Sequence, residues 1–380
     1  MKYCFYILLL IAFAFTSCHK DKDEPDSDDP RISEFRTLLV YMGMDDGGFL
    51  AGQIAKPTVK LLQKNWNTQF DGNLILYVDN GKESHLLRIY AKSGENIVDT
   101  VKVYGKENSA DPNVLERVML EVQTAWPAKS YGLIVSTHGS GWLPVHTLSS
   151  PSSVPTSIII DKGSGYSEMD IKDFTEAIPY KLDFLILDAC LMGGIEVAYE
   201  LKDKADYIVH SPAEVLAEGM ITSTTLKNLM QATPDLNAVA EAFFDYYNVQ
   251  SGDWRSATVS VVKTSELEAL AEISKELLVN LEEAQDLVDY IQVYGYGRSN
   301  KLYFDFGDLI HKLHPGRYDE FMQVLNRSVI HKYATPGYYS NQTGYNTLIA
   351  YSGLSIYIPQ SRYPYLNSEY EKTKWRQRTR

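Results

Sequence analysis

The chain has 380 residues, 44% hydrophobic and 22% charged, enough for a large buried core and too many for one minimal domain. A formal net charge of −13 argues against nucleic acid or an anionic membrane surface as a partner, and favours basic ones. The 27 tyrosines follow no internal period.

Lys2 precedes an apolar run, Phe5–Phe15, that is short for a membrane-spanning helix and ends on small residues, as an export signal does. Phe15-Thr16-Ser17-Cys18 looks like a bacterial lipobox, so residues 1–17 read as a signal peptide and Cys18 as the lipidated residue. Residues 18–34 read as a disordered tether, because Asp21–Asp29 holds six acids and one lysine and cannot bury a core. Similar acidic stretches follow the acylated cysteine of some surface-displayed lipoproteins. The expectation is therefore an exported lipoprotein of the outer membrane, at the cell surface and held by its N-terminal lipid alone. Of three cysteines, Cys4 is then discarded and Cys18 acylated, which leaves Cys190 as a lone thiol.

Folded structure is expected from residue 35. Arg36–Met42 and Asn73–Val78 read as buried strands, and His85–Tyr90 as a hairpin extension. Asp111 caps a helix whose first residue is Pro112 and which Pro127 ends. Gly132–Val135 is a strand leading to His138, and Leu143–Ser157 a long loop. Ile158–Ile160 is a strand, Ser167–Ala177 a short helix, and Phe184–Leu187 a strand ending at Asp188-Ala189-Cys190. Asp206–Val209 is a further strand. This alternation predicts an α/β domain over residues 35–235, with a mostly parallel sheet covered on both faces.

Residues 236–380 read as a helical subdomain. Asn237–Tyr247 is one helix, and Ser265–Ile291 a long one opened by a Ser265-x-x-Glu268 capping box. Two short helices flank Pro315-Gly316. Leu348–Tyr351 and Leu354–Ile358 form a final strand pair, possible partners for the sheet edge, and the basic ending WRQRTR is expected to fray.

His138 and Cys190 each follow a buried strand, where open α/β sheets carry their chemistry. A thiol nucleophile needs an imidazole within proton-transfer reach and backbone N–H groups aimed at the oxyanion. Gly139 permits close backbone approach, so its N–H and that of Cys190 are the expected oxyanion donors. The helix opening at Gly193–Gly194 would favour thiolate through its dipole.

His138-Gly139-Ser140-Gly141-Trp142 and Asp188-Ala189-Cys190-Leu191-Met192-Gly193 resemble the two catalytic motifs of the clostripain family of cysteine peptidases. Supporting similarity runs through Tyr41-Met42, the Asp305-x-x-Asp308 region and Ser352–Pro359. The resemblance implies a caspase-like α/β/α sandwich with a largely helical C-terminal region. It also implies a His138/Cys190 dyad and cleavage of protein or peptide substrates after Arg or Lys (a basic P1 residue). In the family the acid matching Asp188 helps to form the P1 pocket. A second acid is expected after the next strand, where Glu218 or Glu214 stands in a segment that departs from the family's usual Gly-Trp ending. Activation by cleavage between the catalytic strands points to Lys162. No cofactor is required by this chemistry; some relatives require Ca2+, but no EF-hand spacing occurs here and no metal ligands are assigned. His210 reads as pocket lining or plain structure, while His146, His311, His314 and His331 have no ligand spacing. The alternative is a catalytically silent surface-binding lipoprotein of the same fold, and an esterase lacks its G-x-S-x-G elbow.

Overall fold

The computed structural model describes residues 33–44, 50–145, 158–161, 167–295 and 300–380. The signal, the lipidation residue Cys18, most of the tether, His146 and Lys162 lie outside these residues.

The centre is a nine-stranded sheet, built mainly from the apolar runs. Its parallel part comprises β1 (Ser33–Gly43), β2 (Gly72–Asp79), β5 (Ala128–Ser136), β8 (Leu182–Asp188) and β9 (Ala205–His210), in the order β2-β1-β5-β8-β9. Antiparallel β3 (Ser84–Lys92) and β4 (Glu95–Gly105) extend the β2 side. Antiparallel β10 (Thr258–Lys263) and β12 (Val329–Ala334) extend the β9 side. Thus the sheet continues past residue 235 and draws two strands from the region expected to be helical.

Alternation along each strand sends successive side chains to opposite layers. Leu39, Tyr41, Leu133, Val135, Leu185 and Leu187 pack into one core, while Leu38, Val40, Ile134, Phe184 and Ile186 pack into the other. The helices α1 (Lys56–Asn65), α5 (Thr225–Leu229) and α6 (Leu236–Asn248) bury their apolar side chains in the second core. The first core takes α2 (Pro112–Ala125), α3 (Ile171–Ala177) and α4 (Ile195–Glu200), with α7 (Leu267–Leu277). Helix α2 starts as expected, with Asp111 accepting the N–H of Asn113 and Pro112 at the first position. Two short strands, β6 (Ile159–Asp161) and β7 (Ser167–Met169), pair before α3. The result is an α/β/α sandwich.

Four C-terminal expectations are corrected. The long helix stops at Leu277, and after a turn through exposed Val279 the chain resumes as a 3-10 segment, Leu281–Leu287. Its stripe still faces inward, since Leu281 and Ala284 are fully buried. No capping box forms, because Glu268 instead accepts the Tyr199 hydroxyl at 2.7 Å. The final strand pair does not form: Leu348–Tyr351 is not a strand, and Leu354–Ile358 contributes only Ser355–Ile356, outside the main sheet. Short β11 (Phe304–Asp305) pairs with β15 (Ser355–Ile356), and β13 (Gly337–Ser340) forms a hairpin with β14 (Gly344–Thr347). Helices α8 (Phe306–Leu313) and α9 (Tyr318–Ser328) lie between β11 and β12.

The basic ending is ordered rather than frayed. After α10 (Pro364–Tyr370), α11 (Lys374–Thr379) packs on α4 and α7 with Trp375 at 0% exposure. Its indole meets Tyr199 and Phe306 edge-on, and Arg376 pairs with Glu282 and Glu371 at 2.8 Å each. Burial of one such side chain contributes roughly 2–3 kcal/mol toward offsetting the ordering entropy of this helix.

Candidate functional site

The site forms where β5 and β8 end side by side. Their register pairs Ser136 with Asp188, and Thr137 N–H donates to Asp188 O at 3.2 Å, carrying the ladder one residue further. His138 and Cys190 are the next residues but one on the two strands. The approach is close at Gly139, where a Cβ would fall 2.8 Å from Cys190 O and 2.9 Å from both Ala189 Cβ and Met192 Sδ. Only glycine fits there without displacing the Cys190 turn.

Both turns are anchored by the C-terminal region. After His138, the buried indole of Trp142 meets Tyr357 at 5.1 Å and Tyr370 at 5.5 Å, and Tyr303 donates its hydroxyl to Ser140 O. After Cys190, Leu191 has φ +62, an uncommon conformation for a residue with a γ-branched side chain. Leu191 N–H donates to Ala213 O at 3.0 Å and Gly193 N–H to Ser211 O at 2.7 Å, while Ser355 N–H donates to Gly193 O at 2.8 Å. These bonds hold the strained turn in place. Within Ser352–Pro359, Ser355 thus braces the Cys190 turn. Asp305 is a helix cap instead, accepting Asp308 N–H at 2.8 Å.

Cys190 Sγ faces the segment that follows β9. Val215 N–H donates to the sulfur at 3.3 Å, and the thiol donates to Val215 O at 3.5 Å. Burial pushes the Cys190 thiol up to about 12, with the nearby Glu214 charge adding to the effect. The expected help from a helix dipole is outweighed: α4 is six residues long and begins five residues after the sulfur's own.

His138, Cys190 and this segment line one cleft of about 340 Å³. Among the described residues its lining holds three acids, Asp188, Glu214 and Glu218, and no Lys or Arg. Asp188 forms the floor, accepting the Ser136 hydroxyl at 2.9 Å and Met220 N–H at 2.8 Å. Gly219, at φ +73, packs on that carboxylate so closely that a Cβ would lie 2.5 Å from Oδ2. Burial raises the Asp188 carboxyl to about 6, a value at which it is ionised at neutral pH and still costly to leave unpaired. Glu218 is exposed at the rim. Glu214 is turned toward the β13–β14 hairpin, whose Ser340 hydroxyl and Asn341 N–H (3.1 Å) hold its two oxygens.

The cleft therefore gathers His138, Asp188, Cys190 and the Glu214–Glu218 segment, with Gly139 packed behind the Cys190 turn. His210 is fully buried with Nδ1 3.2 Å from Ser260 Oγ, and burial lowers it to about 4; it is structural. Sequence reasoning missed Trp254, Tyr339 and Asn341, which form the far wall. No local pattern marks them, since they come from a turn before β10 and from the hairpin. Among the described residues, no group of three or more His, Cys, Asp or Glu could hold a metal ion, and no helix is long and apolar enough to cross a membrane.

A model of the clostripain family matches residues 53–379. No match was found among curated proteins. Among solved structures, the chain is similar to an inactive zymogen C11 protease from Parabacteroides distasonis (29% identity, TM-score 0.80, covering 91% of this chain and 98% of that one). It is also similar to a secreted C11 cysteine protease from Bacteroides thetaiotaomicron (25% identity, TM-score 0.78, 91% and 99%). A third likeness is to a clostripain from Bacteroides thetaiotaomicron in complex with the peptide inhibitor BTN-VLTK-AOMK (31% identity, TM-score 0.50, 56% and 95%).

Proposed function

Because the chain belongs to the clostripain family and is a cysteine peptidase, we propose that Cys190 and His138 are its catalytic dyad and that it cleaves peptide bonds after Arg or Lys. The observation that carries this reading is the β5–β8 register, which sets the two residues at neighbouring strand tips above an acidic floor.

In the proposed reaction the resting nucleophile is a thiol, held protonated by its burial. His138 takes the Sγ proton as the sulfur bonds to the scissile carbonyl carbon. The oxyanion is met by the N–H groups of Gly139 and Cys190. The imidazolium then returns the proton to the departing amine, leaving a thioester that water hydrolyses with His138 as base. No metal or cofactor enters these steps. The basic P1 side chain pairs with Asp188 at the floor and Glu218 at the rim. Three acids among the described lining residues support that preference, as does the lysine ending the peptide of the inhibitor bound by the similar clostripain.

Export with a lipid on Cys18, and self-cleavage after Lys162, belong to the same proposal; a similar protease described as secreted supports the first. The test is hydrolysis of fluorogenic Arg, Lys and neutral peptides by the protein and by its Cys190→Ala variant. Thiol-dependent turnover confined to the basic peptides is expected. Activity that persists in the variant, or equal turnover of neutral peptides, would overturn the reading.

A further inference from the structure

One wall of the cleft has no part in the chemistry just described. Trp254 closes a 3-10 turn, Gly252–Trp254, that enters β10 and lines the same cleft as Cys190. Trp254 is 54% exposed, a large aromatic residue left open inside a concave site. Tyr339 stands beside it in the lining. The hairpin bearing Tyr339 is fixed to the Trp254 strand: Tyr339 N–H donates to Ser256 Oγ at 2.8 Å, and Thr335 N–H to Ala257 O at 2.9 Å. This is a rigid apolar shelf. Glu214, at that end, is hydrogen-bonded to Ser340 and Asn341 of the hairpin.

The sheet order fixes which part of a substrate reaches the shelf. Across the top edge, β5, β8, β9 and β10 present His138, Cys190, the Ala213–Gly219 segment and Trp254 in that order. The leaving amine must be protonated by His138, so residues after the scissile bond depart over β5. Residues before it therefore extend the other way, over the β9 segment toward β10.

We propose that Trp254, with Tyr339, is the subsite for a large apolar side chain one or two residues before the basic one. The enzyme then selects apolar–basic sequences rather than any exposed Arg or Lys. This rests on the dyad reading above, which fixes the direction of the substrate.

The test uses binding, so that it reports even without turnover. The Cys190→Ala protein is titrated calorimetrically with acetylated four-residue peptide amides, Ala-Ala-Arg-Ala as reference. Phenylalanine replaces the alanine immediately before Arg, the one before that, or the one after Arg. Phenylalanine at either position before Arg should tighten binding about tenfold, the worth of a filled apolar pocket. Trp254→Ala, checked for an unchanged thermal melt, should abolish the gain, and Trp254→Phe should keep part of it. Equal affinities, a gain only after Arg, or a gain that survives Trp254→Ala would overturn the subsite. Hydrolysis of the same peptides by the unmodified protein separates the two ideas. Loss of all thiol-dependent cleavage with the binding pattern intact would strike the dyad alone, whereas Arg-dependent cleavage with flat binding would strike the shelf alone.

Discussion

Replacing Asp188 by asparagine removes one charge from the cleft floor and almost no volume. The amide oxygen still accepts the Met220 N–H, and the Ser136 hydroxyl is free to turn, so the fold should be retained. At pH 7.5 the native carboxyl, which burial raises to about 6, is largely ionised and available to a P1 cation. Leaving that cation opposite a neutral amide costs roughly 2–5 kcal/mol. Exposed Glu218 offers partial compensation, which sets the expectation near the low end, about 3 kcal/mol or a hundredfold in kcat/KM. The assay is kcat/KM on matched Arg, Lys and neutral fluorogenic peptides. Asp188→Asn should lose about a hundredfold on the basic pair and little on the neutral one. The pH dependence carries the sign. The raised carboxyl takes up a proton as pH falls through about 6, so the native KM for Arg peptides should climb below that pH while the variant stays flat. A variant that cleaves Arg peptides within about threefold of the native protein would refute the role of the floor.

Gly139→Ala drives a Cβ into Cys190 O, Ala189 and Met192, and should cost about 1–3 kcal/mol in a thermal melt along with most of the activity. Glu214→Gln removes a charge that helps to hold the thiol up, so the pH midpoint of Cys190 alkylation by iodoacetamide should fall, though burial keeps it above the ordinary thiol range. Glu196 is buried with Oε1 accepting Tyr357 N–H at 2.8 Å, and burial raises it to about 7 from 4.5. Its native form prefers the proton, so stability falls as pH rises from about 4.5 and the loss is complete once pH passes about 7, at a cost of about 3 kcal/mol. Glu196→Gln should accordingly raise the melting temperature at pH 8 and narrow its difference from pH 5.

How much of this was legible in the sequence depended on whether burial or charge carried the signal. The strands that end at His138 and Cys190 stood out because both cores bury them on two faces, leaving apolar runs without alternation. Their adjacency followed from the parallel α/β pattern. Edge strands such as β4 and β12 have few fully buried side chains and left no such run. The stripe Leu270–Ala284 was read as one helix because periodic burial marks an inward face, and the face continues through a break at Leu278–Asn280. The charged ending concealed Trp375, whose arginine neighbours are held by nearby Glu371 and by Glu268, Glu272 and Glu282, acids distant in sequence. The same limit applied to the cleft. Asp188 was visible beside the cysteine, whereas Trp254 and Tyr339 reach the site only through the antiparallel strands that the sequence did not disclose.

The pairing of an imidazole with a single thiol is tested most directly by labelling. The protein is treated with an acyloxymethyl ketone on an apolar-Arg peptide, digested and mapped by mass spectrometry. One adduct, on Cys190, is predicted, formed rapidly by the native protein and at least about a hundredfold more slowly by His138→Ala. Labelling at another residue, or labelling of Cys190 at the same rate without His138, would contradict it.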